Sequence, residues 1–316
     1  EFLLILNKIR HNMELSQKDI LDYAPDVLIL IDYPGFNIKI AEFAHRRNIR
    51  VFWFIAPKVW AWKAWRVKKL RAFVDQIFTI LPFETEFFRK HGSEVHYVSN
   101  PLIDAIETAK EKFRKREVFL KENQLPDKPL VALLPGSRVQ EIRNMLPVMT
   151  RVAVDFPGYQ FVVSGAEAIT PQLYSRYLSG SSIPVLYGQT YEMVHHSAAA
   201  LVASGTATLE TALLRVPQAV LYKMIGGKIF YRLFKKLFLK VPFVSLPNLV
   251  LGKYAIREFI MDEMRYEKVR PELQKLLNDR AYTEQIAGDY DIIRERMGKP
   301  GAADRAAGIM FRLIKN

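Results

Sequence analysis

Leu201-Val202-Ala203-Ser204-Gly205-Thr206-Ala207-Thr208-Leu209-Glu210 is the stretch that decides the fold. An apolar run reads as a strand end, breaks at Ser-Gly-Thr and restarts as a helix through Leu214. Strand, glycine turn and helix start, in that order, make the joint of a parallel α/β sheet. Such a joint offers free backbone N–H groups and the positive end of a helix dipole, which suits phosphate. Glu210 is not explained by helix capping. A capping box puts its acid three residues after a Ser or Thr, whereas Thr206 lies four back and Ala207, three back, is a poor cap. The carboxylate is free to meet a ligand, and a sugar hydroxyl beside a bound phosphate fits. An ordinary first-turn Glu favoured by the dipole is the plain alternative.

The same alternation runs outward in both directions. Val27 to Ile31 is a continuous apolar run, read as a buried parallel strand, and Asp32-Tyr33-Pro34-Gly35 is the loop that ends it. Strands are expected at 51–55, 76–81 and 95–98, with helices at 38–47, 66–73 and 84–91 between them. A polar stretch from Ala109 to Pro129 reads as the domain boundary. Strands follow at 130–134, 160–164, 184–187, 199–203 and 219–222, with a helix beginning near Glu141, helical sequence over 262–297 and a last helix at 302–315. The expected architecture is two Rossmann-like parallel-sheet α/β domains facing a cleft. Residues 1–125 form the first and 126–300 the second, and 301–316 is a helix packing back toward the first. Ligands in such sheets bind beyond the carboxyl ends of the strands. The chain starts at Glu1 rather than Met, and no strand–glycine-turn–helix unit precedes the first strand, so the N-terminal domain is expected to be incomplete.

Composition narrows the function. A chain of 316 residues, half of them hydrophobic, suggests about two domains. Cysteine is absent, which excludes a disulfide framework, thiol catalysis and thiolate metal sites. No apolar run approaches the roughly 18 residues needed to span a bilayer. The net charge of +13 is concentrated in two acid-free blocks, Phe43–Val74 and Thr211–Arg257, with nine Lys or Arg in each. In the second, Lys228, Arg232, Lys235, Lys236 and Lys240 alternate with bulky apolar residues at helical spacing. That pattern suits an anionic membrane surface, or equally a packed helix with solvated cations. The aromatics share an apolar face and no nucleic-acid motif accompanies them, so nucleic acid is not an expected partner.

Several loops carry candidate chemistry. Asp32, at a strand end on the cleft mouth, suits a general base for an acceptor hydroxyl, or simply a turn or cap. Asn37 is close by. Leu134-Pro135-Gly136-Ser137-Arg138 repeats the strand, Gly-Ser turn and helix of the opening stretch, and the planar fork of Arg138 suits a diphosphate. Trp60 and Trp62 follow another strand and could stack on a sugar, pack acyl chains or pack the loop. Asn248, in Ser245-Leu246-Pro247-Asn248, could bond a ligand or be a plain turn residue. Metal readings are weak. His195 and His196 are adjacent and point apart on a helix, no Glu has zinc-motif spacing, and Asp289-Tyr290-Asp291 lies in a polar helical tail.

Ile31-Asp32-Tyr33-Pro34-Gly35-Phe36-Asn37, Val59-Trp60-Ala61-Trp62, Ile80-Leu81-Pro82-Phe83-Glu84, Leu134–Arg138, Ser204–Glu210 and Val244-Ser245-Leu246-Pro247-Asn248-Leu249 occur in that order. Together they closely resemble the lipid-A-disaccharide synthases, inverting glycosyltransferases of the two-domain GT-B fold. The resemblance runs from about Pro25 to Glu258. It implies transfer of 2,3-diacylglucosamine from UDP to 2,3-diacylglucosamine 1-phosphate, giving a β(1→6) disaccharide and UDP. It implies Asp32 as general base, Gly136, Ser137, Arg138, Ser204, Gly205 and Thr206 around the diphosphate, Glu210 on the ribose and Asn248 on the nucleotide side. Asn37, Trp60 and Trp62 fall to the acceptor or acyl side. No metal and no cofactor is implied, since helix N-termini and Arg can meet the charge on departing UDP. Both substrates carry acyl chains, which gives the Lys228–Lys240 segment a reason to dock on the inner membrane from the cytoplasm; the oligomeric state is left open. Two departures stand out: the family's opening Gly-Glu-x-Ser-Gly-Asp unit is missing, and Ser99-Asn100-Pro101 replaces the usual Gly-His-Pro. The competing readings are another UDP-N-acetylglucosamine GT-B enzyme, of lipid II-transferase or epimerase type, and a non-catalytic basic membrane-binding protein.

Overall fold

The structure is a computed structural model and describes residues 2–62, 66–178, 180–223 and 243–315, without the side chains of 2–6, 61 and 62. The chain divides into two compact units. The first takes the described residues up to Pro101 and those from Met297 onward; the second takes Leu102 to Arg296.

In the first unit a helix over Phe2–Tyr23 precedes a four-stranded parallel sheet of β1 (Val27–Ile31), β2 (Arg50–Phe54), β3 (Gln76–Thr79) and β4 (Val95–Tyr97), in that spatial order. Side-chain alternation along a strand separates the two faces. Val51 and Trp53 join Ile40, Ala41, Val67 and Leu70 under the helices on one face. Phe52 and Phe78 point to the other, where Val98 and the terminal helix (Ala302–Lys315) cover them through Ala306 and Met310. Arg50 donates to the Leu313 carbonyl at 2.7 Å, and Ser99 Oγ lies 2.7 and 2.8 Å from the carbonyls of Met297 and Lys299. The terminal segment is thereby part of this unit's core. β1 departs from the expected buried strand. It is the sheet edge among the described strands, and while Leu30 is buried, Ile29 and Ile31 remain 44% and 57% exposed.

The second unit holds a six-stranded parallel sheet: β5 (Leu130–Leu134), β6 (Gln160–Gly165), β7 (Val185–Tyr187), β8 (Ser197–Ala203), β9 (Gln218–Tyr222) and β10 (Glu258–Ile260). Spatially they run β10-β9-β8-β5-β6-β7. Counted within the unit, this is the doubly wound 3-2-1-4-5-6 order, and the winding reverses between β5 and β8. All five residues of β5 are buried, as a central parallel strand requires.

The boundary falls at Pro101/Leu102 rather than at 125/126. The polar stretch beyond Ala109 holds the end of the helix Pro101–Lys110, the loop carrying Arg114 and the helix Arg116–Glu122; Ile103, Ile106, Phe119 and Leu120 of these helices are buried. Arg114 between them is clamped to Glu192 by its main-chain N–H at 2.6 Å and its guanidinium at 2.6 to 3.2 Å. Polarity there marked exposure, not a linker.

Met310→Ala should cost about 2–4 kcal/mol by opening a cavity against Phe52 and Phe78. Phe311→Ala, at a side chain 59% exposed, should change stability by about 0.5 kcal/mol or less. Thermal unfolding checks the pair, and equal effects would contradict the packing of this helix.

Candidate active site

The winding reversal places two turns side by side at the carboxyl ends of neighbouring strands: Pro135–Arg138 after β5 and Ser204–Gly205 after β8. Each opens a helix, Val139–Ala153 and Thr206–Leu213 respectively. Gly136 has φ +102°, a conformation side chains rarely adopt.

Gly205 is the N-cap and supplies no side chain, and among the described residues the N–H groups of Gly205, Thr206 and Ala207 have no backbone acceptor. These are the orphan donors of a helix start. Thr208 turns inward, its Oγ1 2.8 Å from the Gly205 carbonyl. Glu210 lies one turn further on and closes no capping box. Its partner is Tyr191, whose hydroxyl donates at 3.4 Å. Burial pushes the Glu210 carboxyl up, and the Tyr191 hydrogen bond works against that. Burial, with Glu210 beside it, pushes the Tyr191 hydroxyl up to about 12, which keeps it a donor.

Ser204 departs from the expected phosphate donor. Its main-chain N–H bonds Leu221 O at 2.9 Å in the β8–β9 ladder and its hydroxyl donates to Val244 O at 2.7 Å. Both donors are committed to holding the turn. Asn248 departs further. It is fully buried, its Nδ2 donates to Ile256 O (3.0 Å) and Glu258 Oε1 (2.9 Å), and its Oδ1 accepts from the N–H groups of Ala255 (2.8 Å) and Ile256 (3.1 Å). Two donors and two acceptor positions are all an amide has. Asn248 is an internal strut and has no hydrogen bond left for a nucleotide.

The strut centres on Glu258, which had no local signal. Its carboxylate also accepts from Val244 N–H (3.1 Å), Ser245 N–H (2.9 Å) and Ser245 Oγ (2.6 Å). A buried carboxylate so surrounded is fully satisfied. It occupies the start of the short helix Leu246–Leu251, and through Val244 and Ser204 it supports the turn after β8.

In the first unit, Asp32 follows β1 with φ +43° and Tyr33 follows with φ +44°. Two consecutive non-glycine residues in this region cost about 1 kcal/mol or more each. The Asp32 N–H bonded to Phe54 O at 3.1 Å and Asn37 Nδ2, donating to Ile31 O (3.1 Å) and Asp32 O (2.8 Å), hold them there. Asn37 is therefore the clamp of this turn. The Asp32 side chain is exposed and has no hydrogen-bond or ion-pair partner among the described residues.

Trp60 packs the loop. It is buried, its ring meets Phe83 edge-on at 4.8 Å, and its Nε1 donates to Glu84 Oε1 at 3.0 Å. Trp62 ends the helical turn Val59–Trp62, and its side chain lies outside the described residues. Glu84 also accepts from Leu81 N–H at 3.1 Å, tying the loops after β2 and β3 together. Burial raises its carboxyl to about 7, partly offset by the Trp60 and Leu81 hydrogen bonds.

Lys228, Arg232, Lys235, Lys236 and Lys240 lie outside the described residues. Among the described residues no helix is long and apolar enough to cross a membrane, and no group of three His, Cys, Asp or Glu is placed to hold a metal ion. His196 Nε2 is 3.1 Å from Arg114 O, while Asp289 and Asp291 pair with Lys253 and Arg215.

Two parallel-sheet α/β units of this kind define the GT-B class. A UDP-N-acetylglucosamine 2-epimerase from Neisseria meningitidis, solved with UDP-N-acetylglucosamine, superposes with a TM-score of 0.67 at 14% identity, over 98% of this chain and 81% of its own. The calicheamicin glycosyltransferase gives 0.58 at 14%, over 98% and 82%. At such identities the likeness is one of fold. A family model described as lipid-A-disaccharide synthetase matches residues 1–306. The lipid-A-disaccharide synthase of Geobacter metallireducens is 33% identical over 296 residues, 92% of this chain and 76% of that protein. The chain belongs to the lipid-A-disaccharide synthase family, glycosyltransferases that form the lipid A disaccharide.

Glu84, held neutral at low pH in its buried site, contributes stability that is full below its ordinary value of 4.5 and is lost as pH rises through about 7. From pH 5 to 8 the wild type should lose about 2–4 kcal/mol relative to Glu84→Gln. Thermal unfolding across that range checks it, and parallel pH profiles would contradict it.

Proposed function

We propose that the second unit binds UDP-2,3-diacylglucosamine through its diphosphate at the turns after β5 and β8, and that Asp32 of the first unit is the base. The observation carrying this reading is the pair of glycine turns at the winding reversal, where α/β sheets bind ligands. Gly136, Ser137 and Arg138 form one wall. Gly205 and Thr206, whose N–H groups have no backbone acceptor among the described residues, form the other, and Glu210 accepts from the ribose hydroxyls. Ser204 and Asn248 act indirectly, by holding the turn after β8.

In the transfer, the 6-hydroxyl oxygen of 2,3-diacylglucosamine 1-phosphate attacks the anomeric carbon of the donor. The new C–O bond forms as the bond from that carbon to the β-phosphate oxygen breaks, and the configuration inverts to β(1→6). The hydroxyl proton passes to Asp32 and the electron pair leaves with UDP. Charge growing on UDP meets helix N-termini and Arg138, so this reading needs no metal and no cofactor. The unpartnered Asp32 carboxylate supports its role. The enzyme is proposed to work on the cytoplasmic face of the inner membrane as a peripheral protein, with the basic, apolar 228–240 segment against anionic lipid.

Asp32→Asn should lower UDP release from the two acylated substrates by about 10²–10⁴-fold while calorimetry shows unchanged UDP affinity. Near-normal turnover, or lost UDP binding, would contradict the assignment. Replacing Lys235 and Lys236 by Gln should weaken binding to vesicles containing anionic phospholipid on the order of tenfold; unchanged sedimentation with vesicles would refute the membrane contact.

A further inference from the structure

Glu141, third residue of the helix Val139–Ala153, is absent from every role assigned above. Its Oε2 accepts from the N–H groups of Ser137 (3.0 Å) and Arg138 (3.2 Å), and its Oε1 accepts from Arg138 Nη1 at 2.9 Å. Gly136 brings the main chain so close that a Cβ there would stand 2.4 Å from Oε2. These N–H groups and this guanidinium are the donors that the proposed function gives to the diphosphate. One set of donors faces two anions. A phosphate oxygen bonded to Ser137 N–H would crowd a carboxylate bonded to the same group, and the like charges would repel.

Glu258 offers the contrast. It also occupies a helix start, but it is buried and held by hydrogen bonds from three residues, so it is a fixture. Glu141 is 29% exposed and its partner Arg138 is 80% exposed. An ion pair that open to solvent is weak. A rotation of the Glu141 side chain would free both N–H groups and the guanidinium.

We propose that Glu141 is an internal stand-in for the donor diphosphate, holding the turn and Arg138 in place while the site is empty and swinging out when UDP enters. It thereby lowers affinity for UDP and eases product release. This rests on the reading that UDP binds the turn after β5.

Gln keeps an oxygen for the capping contact but removes the charge, so Glu141→Gln separates displacement from capping. Calorimetry on the full chain should show UDP binding to Glu141→Gln roughly three- to tenfold more tightly than to wild type, with the gain shrinking at high salt. Unchanged affinity would reduce Glu141 to a helix cap, and weaker affinity would make it a nucleotide contact; either overturns the proposal. Glu141→Ala, which loses cap and charge together, should also bind UDP more tightly while its Tm falls. Arg138→Ala tests the underlying reading separately. If it leaves UDP affinity unchanged, the diphosphate is not at this turn; if it weakens UDP while Glu141→Gln brings no gain, only the stand-in role fails.

Discussion

A helix start leaves N–H groups that no backbone carbonyl of the helix can accept from, and the second unit turns on how three of these starts are filled. Two of them follow the carboxyl ends of neighbouring strands, β5 and β8. Ahead of the helix at Leu246, the buried carboxylate of Glu258 takes the N–H groups of Val244 and the cap Ser245. The start at Val139 is closed by Glu141 through a solvent-exposed contact. At the start at Thr206 the cap is a glycine, and among the described residues the N–H groups of Gly205, Thr206 and Ala207 have no backbone acceptor. The gradation from buried fixture to exposed contact to glycine cap is what distinguishes structural support from candidate binding surface. It also connects them, because Ser204 links the turn after β8 through Val244 to the Glu258 strut.

Much of this was legible in the sequence because parallel α/β sheets write themselves locally. Val27–Ile31 and Leu130–Leu134 were readable as strands to the residue, since a strand in the middle of the chain's apolar runs ends where Pro, Gly or Asp begins. The two glycine turns were readable for the same reason. Their adjacency was not, because the order β10-β9-β8-β5-β6-β7 depends on crossovers that no local pattern records. The three-residue β10 and the helix Phe2–Tyr23 also escaped, the first too short for periodicity and the second lacking Gly or Pro punctuation at its start.

Asn248, Ser204 and Trp60 have functional groups typical of binding sites, yet each spends them on a partner distant in sequence: Glu258, Val244 and Glu84. A loop with polar side chains must satisfy its own backbone before it can recognise anything else. Glu84 and Glu258 were invisible as organisers because a carboxylate in an apolar setting announces itself only once its donors are assembled. In the first unit the same economy fixes Asp32, whose left-handed turn is held by the amide of Asn37 rather than by its own carboxylate.

The central claim is that the turns after β5 and β8, and not the Glu258-filled helix start, receive the UDP diphosphate. Amide NMR of the isotopically labelled chain titrated with UDP tests it directly. The account predicts that the backbone resonances of Ser137, Arg138, Gly205 and Thr206 shift most, while those of Val244 and Ser245, already bonded to Glu258, shift little. Large shifts at Val244 and Ser245 with quiet turns at 136–138 and 205–206 would contradict it.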